Sequence, residues 1–141
     1  MPKRIIPVSS GKGGVGKTTV ATNFALSLSR YAPTILVDLD TGTSSVRNTI
    51  GVPVGRDLYH FFRKGFRLDE CITRLPASWD PEGLYSGFGF VAANEQGAIA
   101  FDRVQLQAFV GETAAPLREG VVHVEIERHE RLGHVQRFCD E

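Results

Sequence analysis

The chain has 141 residues, 42% of them hydrophobic and 23% charged, and its 16 basic and 16 acidic side chains cancel to a formal net charge of zero. That length suits one domain around one core, the composition is that of a globular and not a disordered chain, and zero net charge excludes a global field that would gather DNA or anionic lipid. Its uncharged runs fall far short of the roughly 20 residues that cross a bilayer, Met1-Pro2-Lys3-Arg4 is followed by too short an apolar stretch for a signal peptide, and Cys71 and Cys139 form no CxxC pair, so a cytoplasmic, reducing location is expected.

In chain order, residues 4–10 (RIIPVSS) predict a strand, a Gly-rich turn follows, and a helical pattern runs from Lys17 to about Tyr31. Val20, Phe24 and Leu28 recur at four-residue spacing, with Ala21 and Ala25 beside them, a stripe suited to packing on a sheet. Pro33 closes the helix, and residues 34–38 (TILVD) form an aliphatic run of the kind covered on both faces. Strand, helix, strand in that order implies a parallel pair with a right-handed crossover. Pro7 lacks a ladder donor and predicts a local defect in the first strand.

Residues 41–55 are rich in Gly, Thr, Ser and Asn and predict a loop with one helical turn around residues 46–50. Asp57 is a candidate cap for a helix through Lys64, with Leu58, Phe61 and Phe62 inward. A second short helix is expected over residues 69–74. Pro76, Pro81 and Gly83 then break the chain before a third strand at residues 87–93 (GFGFVAA). Phe101, Val104 and Ala108 give residues 98–110 a helical pattern, and residues 121–127 (VVHVEIE) alternate as a strand with one solvated side. The tail, residues 128–141, is charged and without periodicity, which predicts fraying. Arg63, Lys64 and Arg67 lie among Tyr59, Phe61, Phe62 and Phe66; this is a solvated helix face over buried rings, or a patch for phosphates or an acidic partner.

The chemistry concentrates in the first turn. Gly11-Lys12-Gly13-Gly14-Val15-Gly16-Lys17-Thr18 fits G-x-x-x-x-G-K-[ST], directly after a predicted strand and before a predicted helix. A polyphosphate needs many donors brought close without bulky side chains between them, and Gly11, Gly13, Gly14 and Gly16 allow backbone N–H groups to face one centre. The helix that starts near Lys17 adds its positive dipole end. Lys17 would reach the β- and γ-phosphates, Thr18 would offer a hydroxyl to Mg²⁺, and Thr19 would lie near the α-phosphate. The cofactor expected is ATP with Mg²⁺, held by residues 11–19, Val15 included; the bland alternative is a Gly-rich turn without a ligand. Asp38 and Asp40 follow a buried-type strand, which puts them at its carboxyl end, where open α/β sheets bind ligands. They contact metal or water there, or one of them caps the next turn.

With Lys12 and a second threonine, the stretch GKGGVGKTT resembles the deviant Walker A motif of the ParA/MinD family. The preceding IIPVSS, the following TTVATNFALSLS and the later LVDLD are similar to that family's first strand–helix–strand unit. The likeness is strong over residues 5–51, weaker to about residue 93 and absent as motifs over residues 94–141. It implies one α/β domain over residues 1–141, a mostly parallel, doubly wound P-loop sheet with flanking helices, in an incomplete version. It also implies an ATPase whose two subunits sandwich ATP, with Lys12 reaching the phosphates bound by the partner; the alternative for Lys12, a solvent-facing loop lysine, stays open. The same resemblance assigns Asp38 to the magnesium waters and Asp40 to the attacking water.

The family's later D-x-x-x-G segment has no match in this chain; the strand at residues 121–127 ends in glutamates, and nothing in the spacing makes Glu125 or Glu127 its substitute. The chain is therefore expected to be a truncated or altered member, with hydrolysis more affected than binding. His123, Glu125, Glu127, His129 and His134 meet no known metal-ligand spacing. The leading expectation is an ATP-dependent homodimerisation switch that positions cargo with a protein partner, and the alternative is a nucleotide-binding interaction module that barely hydrolyses. Electron transfer lacks suitably placed cysteines, whereas phosphoryl transfer to a small molecule remains compatible with the loop. No DNA-reading motif or membrane-anchoring helix is found.

Overall fold

The computed structural model of the chain describes residues 4–9, 14–39, 45–93 and 121–126. Strand β1 (Arg4–Ser9) leads to helix α1 (Lys17–Ser29), strand β2 (Thr34–Asp38), helix α2 (Ser45–Ile50) and helix α3 (Leu58–Lys64). A 3-10 turn (Asp69–Cys71), strands β3 (Thr73–Arg74) and β4 (Phe88–Val91), and strand β5 (Val121–Ile126) complete the described elements. The sheet order is β1-β5-β2-β4-β3; the first four strands are parallel, and β3 is an antiparallel edge on β4.

Alternation along β2 and β4 divides the core between the two faces of the sheet, because successive side chains in a strand point to opposite sides. Leu36, Phe88, Phe90 and Ala92 face α1 and α2, where they meet Ala21, Ala25, Val46, Ile50 and Val52. Ile35, Val37, Leu39 and Val91 face the other way, onto Leu58, Leu68 and Cys71, with Phe61, Phe62, Phe66 and Ile72 packed against them. All five residues of β2 are buried, as their aliphatic run requires. Gly89 is where this packing needs a missing side chain: a Cβ there would stand 2.7 Å from Ile72 Cγ2 and 3.1 Å from Ile35 Cδ1.

Helix α1 turns a different face to the sheet from the one its apolar stripe predicts. Ala21, Thr22, Ala25 and Ser29 are buried, whereas Val20 is 62% and Phe24 42% exposed. Small side chains let the helix backbone approach the strands, and they win the contact over the larger apolar residues.

Two other expectations are corrected. Pairing of β1 with β5 runs without interruption through Pro7, which stands opposite Val124, so there is no defect. In the described sheet β1 is the edge strand, where a proline is accommodated because its missing N–H can face away from the only partner. The helix expected over residues 69–74 is a single 3-10 turn, and the chain then enters β3, where Thr73 and Arg74 pair with Phe90 and Gly89.

Helix α3 follows its sequence signals. Asp57 accepts hydrogen bonds from the amides of Tyr59 (3.0 Å) and His60 (3.4 Å), and the His60 ring accepts from the Asp57 amide at 3.3 Å to close a capping box. Gly65 ends the helix, and Arg63 and Lys64 lie in its last turn, beside the negative end of the dipole. Lys64 stands over the Tyr59 ring, and Arg67 pairs with Asp69, which favours the solvated-face reading of this basic cluster. The helix expected at residues 98–110 and the tail at residues 128–141 lie outside the described residues.

Candidate functional site

Helix α1 starts without the protection that most helices arrange for their first turn. Its cap position is Gly16, at φ 93° and ψ 17°, which supplies no side-chain hydrogen bond, and the first turn contains no acidic residue. The leading N–H groups of a helix have no intrahelical partners, so the positive end of a 13-residue helix is presented to the loop. Gly14 is also left-handed, at φ 74°, and a Cβ built on Gly14 or Gly16 would meet nothing within 4 Å. The glycines are there for backbone direction and open space, not for tight packing. Val15 is exposed, Lys17 and Thr18 are half-buried, and Thr19 is exposed. Gly11, Lys12, Gly13 and Asp40 lie outside the described residues.

Asp38 ends β2, and it is wholly buried. Its Oδ2 accepts a hydrogen bond of 3.2 Å from the Val46 amide, in the first turn of α2. Asp38 thus caps the first turn of α2. An ionised carboxylate has roughly four lone-pair sites, so this cap does not by itself exhaust Asp38 as an acceptor for a metal-bound water. Mg²⁺ is ordinarily held by one or two carboxylates together with phosphate oxygens and waters; a buried carboxylate in Asp38 and a hydroxyl at the start of α1 in Thr18 are the hard oxygen donors that this requires. Among the described residues, no group of three or more His, Cys, Asp or Glu could hold a metal ion by itself. The side chains of the histidines and glutamates at residues 123–134 are outside the described residues.

The sheet brings the two halves of the site to the same edge. Strand β5 separates β1 from β2, and its register puts Val8, Glu125 and Asp38 in one row across three parallel strands. Ser9, the last residue of β1, is one position beyond that row, so β1 ends beside the row that holds Asp38. Glu125 thus holds a register position between the two strands that supply the site. No spacing rule could have found it, because the pairing joins residues far apart in sequence.

The comparisons agree with this geometry. Residues 1–60 match the ParA family, in the form described as the NUBPL iron-transfer P-loop NTPase. The chain is 40% identical over 75 residues to a septum site-determining protein MinD of Tupiella akineta, which covers 50% of this chain and 24% of that protein. The chain's first 60 residues are thus ParA/MinD-like. Another relative, the iron-sulfur cluster carrier protein of Bacillus subtilis, is 44% identical over 54 residues, covering 38% of this chain and 15% of the carrier. Beyond the matched segment the family fold persists: MinD from Pyrococcus horikoshii, solved with Mg-ADP, superposes with a TM-score of 0.67 at 21% identity, over 87% of this chain and 48% of that one. The chain therefore spans about a quarter of the length of the MinD relative from Tupiella and about half that of the solved MinD. Among the described residues, no helix is long and apolar enough to cross a membrane.

Proposed function

We propose that residues 1–141 form a single cytoplasmic nucleotide-binding domain that takes ATP with Mg²⁺ on residues 11–19 and uses the bound nucleotide to control homodimerisation. The observation that carries this reading is the start of α1: a left-handed glycine at the cap, no side-chain cap, no acid in the first turn, and a buried aspartate at the end of the neighbouring parallel strands. Such a helix start favours a polyanion. In this reading the backbone of Gly11, Gly13, Gly14, Val15 and Gly16 surrounds the phosphates, Lys17 neutralises the β- and γ-phosphates, and Thr19 approaches the α-phosphate. Thr18 and Asp38 hold Mg²⁺, which when bound neutralises charge on the phosphate oxygens. Lys12 reaches into the partner's nucleotide, and Asp40 orients water. Cargo positioning through a protein partner is the cellular role that we infer; the MinD relatives are named septum site-determining proteins.

A second reading, an interaction module that dimerises on ATP with little turnover, is supported by β5, which runs VVHVEI into Glu127 and not into D-x-x-x-G. One titration separates the two: ATP and a non-hydrolysable analogue are added while heat, mass in solution and released phosphate are followed. Heat and dimer mass with phosphate release support the first reading; heat and dimer mass without phosphate support the second. No heat from ATP in magnesium buffer sinks both, and unchanged dimerisation in Lys12→Ala sinks the sandwich.

A further inference from the structure

We propose that the Arg47–Asp57 ion pair positions the Asp38 carboxylate, acting through the first turn of α2. This rests on the nucleotide reading only for its consequence at magnesium. Helix α2 has six residues, too few to be stable alone. Its first turn donates the Val46 amide to Asp38, and the next residue, Arg47, places Nη2 3.2 Å from Asp57 Oδ2. Both side chains of that pair are largely shielded, at 17% and 11% exposure, so salt screens it less than a surface pair.

Asp57 is itself held firmly. Its other oxygen, Oδ1, caps α3 through the Tyr59 and His60 amides. The next amide, Leu58, donates to the carbonyl of Ala92, just beyond β4, at 3.0 Å. One side of Asp57 is thus tied to α3 and the sheet, and the other grips α2. Val46 and Ile50 bury α2 against the core, but apolar contacts are non-directional and tolerate sliding. The ion pair adjoins the residue whose amide meets Asp38, and it supplies the direction that the apolar contacts lack. Arg47 and Asp57 are positioning residues; they act on the site through Val46.

The test uses the full chain as Arg47→Met, Arg47→Lys and Asp57→Asn, the last keeping an acceptor oxygen for the α3 cap. Amide hydrogen exchange at Val46 should quicken about tenfold in Arg47→Met and Asp57→Asn and return to within about threefold of wild type in Arg47→Lys, while Leu58 exchange stays unchanged. In parallel, the Mg²⁺ concentration giving half-maximal binding of a non-hydrolysable ATP analogue should rise about fivefold in the first two variants, with metal-free binding altered less than about twofold. Unchanged Val46 exchange overturns the proposal, as does equal acceleration at Leu58, which would indicate general loosening. Faster Val46 exchange with an unmoved Mg²⁺ midpoint also overturns it. Should wild-type protein bind no nucleotide, the functional reading fails, and Val46 exchange alone still decides whether the pair controls the Asp38 contact.

Discussion

Replacing Gly16 by alanine separates a backbone role from a ligand role, because Gly65 provides a matched control. Gly16 caps the start of α1 at φ 93° and Gly65 ends α3 at φ 73°, both with ψ 17°. A Cβ at either position would meet nothing within 4 Å, so neither variant suffers a clash. What remains is the cost of holding an L-residue left-handed, about 1–2 kcal/mol. For a chain of this size that lowers the melting temperature by about 3–7 °C in both variants. At Gly16 that strain acts on the backbone leading into α1, where in the nucleotide reading the amides would face the phosphates. Wild type and Gly65→Ala should therefore gain the same stabilisation from Mg-ATP analogue, about 2.7 kcal/mol at a hundredfold excess over Kd. Gly16→Ala should lose at least about tenfold in affinity, halving that gain. Thermal melts with and without the analogue read all of these quantities. If Gly16→Ala is destabilised like Gly65→Ala yet keeps the full nucleotide shift, the cradle argument is wrong.

Three further outcomes are expected. Ala25→Leu overpacks the contact between α1 and the sheet and should cost about 1–3 kcal/mol in urea unfolding, whereas Phe24→Ala on the outer face should cost under about 1 kcal/mol; the reverse order would restore the apolar stripe as the buried face. Asp38→Asn keeps an oxygen for the Val46 amide but removes the charge, so circular dichroism should be unchanged while a metal titration shows nucleotide binding that no longer responds to Mg²⁺. Burial, reinforced by the Asp57 charge, pushes the Cys71 thiol from 9.0 up to about 11. The folded state thus keeps its proton where the unfolded chain loses it, and this contribution is full below pH 9 and lost as pH rises towards 11. A Cys139→Ser chain should lose urea resistance across that window and react slowly with thiol reagents at pH 8, and a Cys71→Ala control that loses just as much resistance would refute this.

What could be read from the sequence was local. The loop motif between strand and helix, the aliphatic run of β2, and Asp57 ahead of Leu58 each declare themselves within a few residues, and the structure carries the corresponding elements. Orientation was harder. Hydrophobicity alone assigns Val20 and Phe24 to the core, but the approach of α1 to the sheet is governed by size, which selects Ala21 and Ala25. Spacing left open which aspartate caps the next turn, since this depends on where α2 folds back, and only the Val46 contact assigns the cap to Asp38. The Arg47–Asp57 pair has no signature in sequence, because it forms between the side of one helix and the cap of another.

The insertion of β5 between β1 and β2 also fixes when the site can exist. Those two strands never touch each other; without β5 a gap of roughly 10 Å would separate the loop strand from the Asp38 strand. On the ribosome, roughly 4–17 s of elongation pass between Asp38 and Val121 at usual rates. During that interval the nascent chain carries the whole phosphate-loop motif while, among the described strands, none lies between β1 and β2 to join them.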